Sequence, residues 1–157
     1  MADRAHACLL VIGIGNSLRR DDGAGLLLAA ALAEVWEAAG HPVRLLTAHQ
    51  LAPEHALEVS QAEVGAVLFV DAAVHTAAPT LYPIQPASGD SPAGGHTLGP
   101  ATVLLYAQLL DPHTRPAWLL TLPAHDLDHG EGLSTATQTY LDSLVADSAI
   151  LWQRIIG

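Results

Sequence analysis

The sequence has no lysine, a single cysteine and few aromatic residues, and each shortage excludes a kind of protein. Without lysine, neither a phosphate-binding P-loop nor Schiff-base chemistry is available. The single cysteine, Cys8, cannot form a disulfide bond within the chain. No apolar run approaches the ~20 residues that a membrane-spanning helix needs, and the residues before the first apolar run do not read as a signal peptide. We therefore expect a soluble, cytoplasmic protein without a membrane partner.

Basic residues are scarce as well, because 6 lysines and arginines stand against 16 aspartates and glutamates, for a net charge of -10. A strongly acidic chain is a poor ligand for nucleic acid or for anionic membranes, so neither is an expected partner. Half of the 157 residues are apolar, which is enough to bury a core. We predict one domain over residues 1–157, and a monomer.

Strand and helix patterns alternate along the chain, which is typical of an α/β fold. The predicted last helix is a long one, capped by Ser134 or by Thr135, and Thr135 with Gln138 fits a capping box. Prolines around 81–84 place that strand at a sheet edge. The expected architecture is a mostly parallel sheet with one antiparallel edge strand and helices on both faces. The predicted strands are 9–14, 43–47, 64–70, 81–84 and 118–122, and the predicted helices are 23–37, 53–61, 99–110 and 135–156.

The most informative segment follows the first predicted strand, where Gly13-x-Gly15-Asn16 leads to Asp21-Asp22 and a helix. Strand, turn and helix in this order build ligand sites in α/β folds, usually for phosphate. Carboxylates repel phosphate, so this turn indicates a cation site or a proton transfer. The dinucleotide fingerprint is incomplete, because its third glycine position holds Leu18.

Common hydrolase patterns are missing or incomplete. The sequence has no Gly-x-Ser-x-Gly nucleophile elbow, and Cys8 lies inside a predicted strand rather than at its end. The stretch from His125 to His129 resembles a zinc-binding helix. However, Pro123 precedes it and Gly130 follows it, so a loop with two solvated histidines is the favoured interpretation.

Three side chains are expected to meet at the carboxyl-end rim of the sheet. Asp22 follows the first strand, Asp71 closes the third, and His96 lies in the loop before the helix at 99. The first and third strands are expected neighbours, and two carboxylates with one imidazole suit a divalent metal with open positions. Each residue also has an ordinary alternative role. Asp21 or Asp22 could cap the helix, Asp71 could bond a turn, and His96 could be a plain loop histidine.

The segment Gly13-Ile14-Gly15-Asn16-x-Leu18-x-x-Asp21-Asp22-Gly23-x-Gly25 resembles the signature of the nickel-iron hydrogenase maturation endopeptidases. The similarity continues, in the family's order, through 69–72, 95–99 and 130–134, and so spans nearly the whole chain. This resemblance implies a five-stranded twisted sheet flanked by helices. It also implies a task, which is to remove the C-terminal extension of the hydrogenase large-subunit precursor after nickel has been inserted.

The resemblance assigns the nickel-contacting and catalytic roles to Asp22, Asp71 and His96. Many family members have glutamate at the first of these positions, so the shorter Asp22 carboxylate needs another way to reach the metal. The resemblance implies that the nickel arrives with the substrate, and no tightly bound intrinsic cofactor is expected. Whether a metal-activated water or an aspartate base attacks the peptide bond stays open.

Candidate substrate contacts are Asn16, Asp21 and His49. The segment 49–54 is similar to the version found in some branches of the family, where others have an Asp-Gly-Gly turn. His49 either lines a cleft with the first turn or caps the helix near Pro53. A second functional class also remains, a non-catalytic nickel-sensing assembly factor or metallochaperone acting on the same large subunit.

Overall fold

The structure, a computed structural model, describes residues 7–88 and 98–157. Within these ranges the chain alternates between strands and helices, as the sequence predicts. The strands are β1 (Cys8–Ile14), β2 (Val43–Ala48), β3 (Val64–Ala73), β4 (Thr80–Pro83) and β5 (Ala117–Pro123). The helices are α1 (Ala24–Ala38), α2 (His55–Val59), α3 (Pro100–Leu110), α4 (Thr135–Ala146) and α5 (Ser148–Ile156), and a 3₁₀ turn, Arg20–Gly23, precedes α1.

The five strands form one sheet in the order β2-β1-β3-β5-β4. The β1–β2, β1–β3 and β3–β5 pairs are parallel, and the edge strand β4 is antiparallel to β5. The predicted fold class is therefore confirmed, including the antiparallel edge strand. Because β1 and β3 are neighbours, the residues that follow their carboxyl ends meet at one rim of the sheet.

Helices cover both faces of the sheet, and each face has its own apolar core. Leu9 and Val11 of β1 pack towards α1, α4 and α5, whereas Leu10 and Ile12 pack towards α2 and α3. A strand buried on both faces reads as a continuous apolar run, which is why β1 could be predicted without any alternation. No helix in the described part of the chain is long and apolar enough to cross a membrane.

The C-terminal helix differs from its prediction, because the chain forms two helices that meet at Asp147 instead of one. Just after the break, the Ser148 carbonyl accepts a hydrogen bond from Trp36 Nε1 at 2.9 Å. Trp152 also packs on Trp36 with ring centroids 5.3 Å apart, and His41 stacks on Trp152 at 4.0 Å. These contacts between α1, α5 and the turn before β2 favour a break between the two helices, although the sequence has no glycine or proline there.

The predicted capping box is wrong as well. Ser134 is the N-cap of α4, and its side chain accepts from the Thr137 amide at 3.3 Å. The Gln138 amide instead donates to Asp142, one turn further along the helix, at 2.9 Å. Helix α2 is also shorter than predicted, and β3 runs two residues beyond Asp71 to Ala73.

Candidate metal and substrate site

Two glycines let helix α1 approach the ends of β1 and β3 closely. A β-carbon at Gly25 would clash with the Ile14 carbonyl oxygen and lie 2.9 Å from Asp71 Cα. At Gly15, where φ is +153°, a β-carbon would clash with the Asp22 carbonyl oxygen. Only glycine permits such contacts without strain. The two glycines of the first motif therefore let the Asp22 turn pack against the end of β3.

The carboxylate of Asp22 is held in one orientation by the turn that precedes it. The Asn16 amide donates to Asp22 Oδ2 at 3.1 Å and to the Asp22 carbonyl oxygen at 3.2 Å. The Asn16 side chain in turn accepts from the Leu18 amide at 2.9 Å. Asn16, predicted as a substrate contact, thus orders the turn that presents Asp22, and it lines the same cleft as His49.

Asp71 is placed beside Asp22 but lies inside β3 rather than at its last residue. It follows Phe69 by two residues, so it lies on the sheet face covered by α2 and α3. Burial raises the pKa of Asp71, the Asp22 charge raises it further, and a hydrogen bond from the Ala72 amide lowers it, for a value of about 7. A positive charge between the two carboxylates would offset their repulsion.

The third predicted ligand, His96, lies outside the described residues. The described chain resumes at Leu98, two residues later, and Leu98 packs against the apolar core on the face that carries Asp71. Within residues 7–88 and 98–157, no three histidine, cysteine, aspartate or glutamate side chains are gathered closely enough to hold a metal ion. The described part of the predicted site is therefore the pair Asp22 and Asp71.

Asp21, predicted as a substrate contact, instead joins the first motif to the start of α4. Its side chain has no exposed surface. Its carboxylate accepts five hydrogen bonds of 2.7 to 2.9 Å, which come from the amides of His125, Asp126 and Ser134 and the hydroxyls of Ser134 and Thr137. Burial opposes ionisation, but hydrogen bonds from Ser134, His125 and Asp126 outweigh it and lower the pKa of Asp21 to about 2. We assign Asp21 a positioning role.

Backbone pairing reinforces this connection between the first motif and the loop after β5. The Arg20 amide donates to the Gly130 carbonyl at 3.0 Å, and the Gly130 amide donates to the Leu18 carbonyl at 2.9 Å. Residues 124–129 form a loop, as the prolines and glycines around them indicate, and not a zinc-binding helix. The contact between Thr137 and Asp21 could not be predicted from the sequence, because the two residues are 116 positions apart and no local pattern indicates it.

His49 and the first turn line one cleft of about 260 Å³ at the carboxyl ends of β1 and β2. The alternative prediction, in which His49 caps the next helix, is not seen, because the N-cap of α2 is Glu54 and no side-chain cap hydrogen bond forms there. In the turn before α2, His55 Nδ1 accepts from the Ala52 amide at 2.8 Å. His49 itself is exposed. The cleft is lined by Gly15, Asn16, Ser17, Leu18, Leu26, Thr47, Ala48 and His49.

A larger cavity of about 430 Å³ lies away from this rim, between α3 and the start of β5. Its one arginine, Arg115, is already bound by surrounding groups, because its guanidinium donates to the carbonyls of Ser60, Gln61 and Val64 and to Asp111. Since that charge is used within the fold, the rim with Asp22 and Asp71 is the better candidate for chemistry.

The fold matches several solved structures over nearly its whole length. The [NiFe] hydrogenase maturation protease HycI from Thermococcus kodakarensis KOD1 matches with a TM-score of 0.69 and 22% identity, covering 92% of each chain. The hydrogenase maturating endopeptidase HybD from E. coli matches with a TM-score of 0.65 and 20% identity, over 93% of this chain and 92% of that one.

HybD from Thermococcus kodakarensis, another [NiFe] hydrogenase maturation protease, gives a TM-score of 0.60 at 16% identity, over 91% of this chain and 97% of that one. No protein-family model matches the sequence, and no curated protein does. The protein has the fold of the [NiFe] hydrogenase maturation proteases, which confirms at the level of the fold the resemblance seen in the motifs.

Proposed function

We propose that the protein is an endopeptidase that removes the C-terminal extension of a [NiFe] hydrogenase large-subunit precursor after nickel insertion. Nickel is part of the substrate in this proposal, and the side chains of Asp22, Asp71 and His96 bind it. The observation that carries the proposal is the convergence of Asp22 and Asp71 at the carboxyl-end rim, on a fold shared with structures named hydrogenase maturation proteases.

The electrostatics of the pair support a site for a cation that arrives with its substrate. Burial and the Asp22 charge raise the pKa of Asp71, so the two carboxylates repel each other whenever both are ionised. A nickel ion would relieve that repulsion, and two carboxylates with one imidazole suit a divalent ion with positions left open. Three protein ligands make a weaker cage than the four of a structural zinc site, and this suits a protease that releases the metallated product.

The chain's own residues divide the work in this proposal. Asp22 is oriented by the Asn16 amide, and its turn is anchored through Asp21 to the loop after β5. Asp71 is held by the sheet on the other side of the gap. Nickel fixed between them would position the peptide tail, and a water polarised there, or activated by an aspartate, would add to the scissile carbonyl. The C–N bond would then break, and the leaving amine would take up the proton that the water gave up. Because the metal belongs to the substrate, an unmetallated precursor would not be cut.

The test is cleavage of a purified large-subunit precursor, followed by gel shift, with and without nickel. Wild-type protein should cut the nickel-loaded precursor and leave the nickel-free form intact. Asp22→Asn and Asp71→Asn should lower cleavage at least 100-fold while the circular dichroism spectrum is kept. The matched control is Asp142→Asn, an exposed carboxylate on α4, which should cleave normally.

Two outcomes would overturn the proposal. Equal cutting of nickel-free precursor would exclude recognition through substrate nickel. Absence of cutting under every condition, with nickel-dependent binding of the precursor retained, would instead favour the non-catalytic assembly factor or metallochaperone.

A further inference from the structure

One edge of the sheet has free backbone groups, and it leads into the cleft beside Asp22. Within the described residues, β2 pairs with β1 on one side and with no strand on the other. Strand β2 holds no proline, and its one charged residue, Arg44, forms ion pairs with Glu58 and Glu63. Edge strands are usually protected by prolines or charges, so this edge is open to pairing.

The register shows which backbone groups of β2 are free. The Leu9 amide donates to the Pro42 carbonyl, and the Gly15 amide donates to the Ala48 carbonyl, both at 3.0 Å. In a parallel pair, alternate residues of a strand direct both their N–H and C=O groups to the same side. Even-numbered residues of β2 therefore face β1. The N–H and C=O groups of Val43, Leu45 and Thr47 point outward.

The opposite edge of the sheet is blocked by its sequence. The Ile84 amide donates to the Ala117 carbonyl at 2.9 Å, so in the antiparallel register Leu81 and Pro83 are the outward-facing residues of β4. Proline has no N–H, and at this position it removes a donor from the exposed edge. The two edges thus differ, and only β2 offers a run of outward donors and acceptors among the described strands.

We propose that the β2 edge binds the extended C-terminal segment of the precursor as an added strand. Thr47 connects the two halves of this site, because it has outward backbone groups and also lines the 260 Å³ cleft with Asn16 and His49. A peptide paired with Leu45 and Thr47 is led past His49 towards the turn that presents Asp22. Backbone pairing gives affinity for any extended peptide, while the cleft selects its side chains. This inference rests on the proposed function, since it takes the substrate to be a peptide.

Thr47→Pro tests the backbone pairing, because it removes an outward N–H without removing a β1–β2 hydrogen bond. We expect the KM for nickel-loaded precursor to rise about fivefold or more, with kcat within about twofold, as expected for one lost hydrogen bond. Thr47→Ala removes the side chain and keeps the N–H, so it measures the side chain's own contribution, and its KM should rise clearly less than that of Thr47→Pro. Thermal unfolding verifies that both variants are folded. Equal losses in both variants, or none in either, would overturn the proposal.

Hydrogen exchange of the wild-type protein gives a second readout that needs no variant. Amide exchange over 43–48 is measured by mass spectrometry on ice, with and without excess nickel-loaded precursor. We expect the Leu45 and Thr47 amides to become protected, while β4 keeps its exchange rate. Unchanged exchange at β2 would overturn the edge proposal even if cleavage is normal. Protection of β2 without cleavage would support the edge and overturn the peptidase function, so the two failures are distinguishable.

Discussion

The carboxylate of Asp21 accepts hydrogen bonds from both the amide and the hydroxyl of Ser134, each at 2.7 Å, across 113 residues of sequence. This contact joins the first motif to the N-cap of α4. Because Asp21 lies in the 3₁₀ turn and directly precedes Asp22, the contact also fixes the position of that turn. The geometry of the candidate site therefore depends on a side chain that is fully buried.

Asp21→Asn should destabilise the protein by ~2–4 kcal/mol, because an amide leaves several buried donors unpaired and removes charge-assisted hydrogen bonds. Urea unfolding at pH 7 measures the change, and Asp142→Asn on the exposed face of α4 is the control. The low pKa of Asp21, about 2, adds a pH signature. Its stabilisation is complete above about pH 4 and is lost as the pH falls through about 2, so the variant should lack this part of the acid transition. A variant as stable as wild type would exclude the anchoring role.

Asp71→Asn should lower cleavage at least 100-fold and yet stabilise the protein in the absence of nickel. The pKa of Asp71 is raised from 3.8 to about 7, so the wild-type protein loses stability as the pH rises from about 4 to about 7. Asparagine stays neutral and escapes that loss. We expect a gain of ~1–3 kcal/mol at pH 8, and little difference at pH 4, since one pKa unit is worth 1.36 kcal/mol and solvent reduces the full value. Chemical unfolding at the two pH values measures the difference in stability between variant and wild type. A variant less stable than wild type at pH 8 would contradict the electrostatic argument.

Gly25→Ala should cost ~2–4 kcal/mol or prevent folding, because the added β-carbon meets the Ile14 carbonyl and Asp71 Cα. Gly99→Ala is the matched control. A β-carbon there meets no atom within 4 Å among the described residues, so the expected cost is below ~1 kcal/mol. Thermal unfolding of the two variants compares them directly. Similar small costs would mean that α1 can move away from the rim without difficulty.

His49→Ala should lower precursor processing about three- to tenfold and leave stability within ~0.5 kcal/mol, since His49 is exposed and lines the cleft. His55→Ala should leave processing unchanged and lower the stability of the protein, because His55 Nδ1 accepts a hydrogen bond from the Ala52 amide in the turn before α2. Processing and unfolding are measured for both variants. If His49→Ala processes normally, the cleft does not contact the substrate through this side chain.

Much of the architecture could be predicted from sequence, because buried strands and amphipathic helices leave local apolar patterns. The placement of Asp22 next to Asp71 also followed, since residues after neighbouring parallel strands share a rim. The break at Asp147 could not be predicted, because no local pattern marks it and the contact beside it joins Trp36 and Ser148, which are 112 residues apart. Likewise, the sequence alone does not distinguish the carboxylates of Asp21 and Asp22. The structure does, because the loop after β5 packs on Asp21 and buries it, while Asp22 remains beside Asp71.

The tryptophan contacts have a practical consequence for spectroscopy. Trp36 and Trp152 lie with their rings 5.3 Å apart, and His41 stacks on Trp152, all on the sheet face covered by α1 and α5. These are two of the three tryptophans in the chain. Intrinsic fluorescence therefore reports chiefly the docking of the C-terminal helix onto α1, on the face opposite the side chain of Asp71. Such a signal follows unfolding while a ligand occupies the rim.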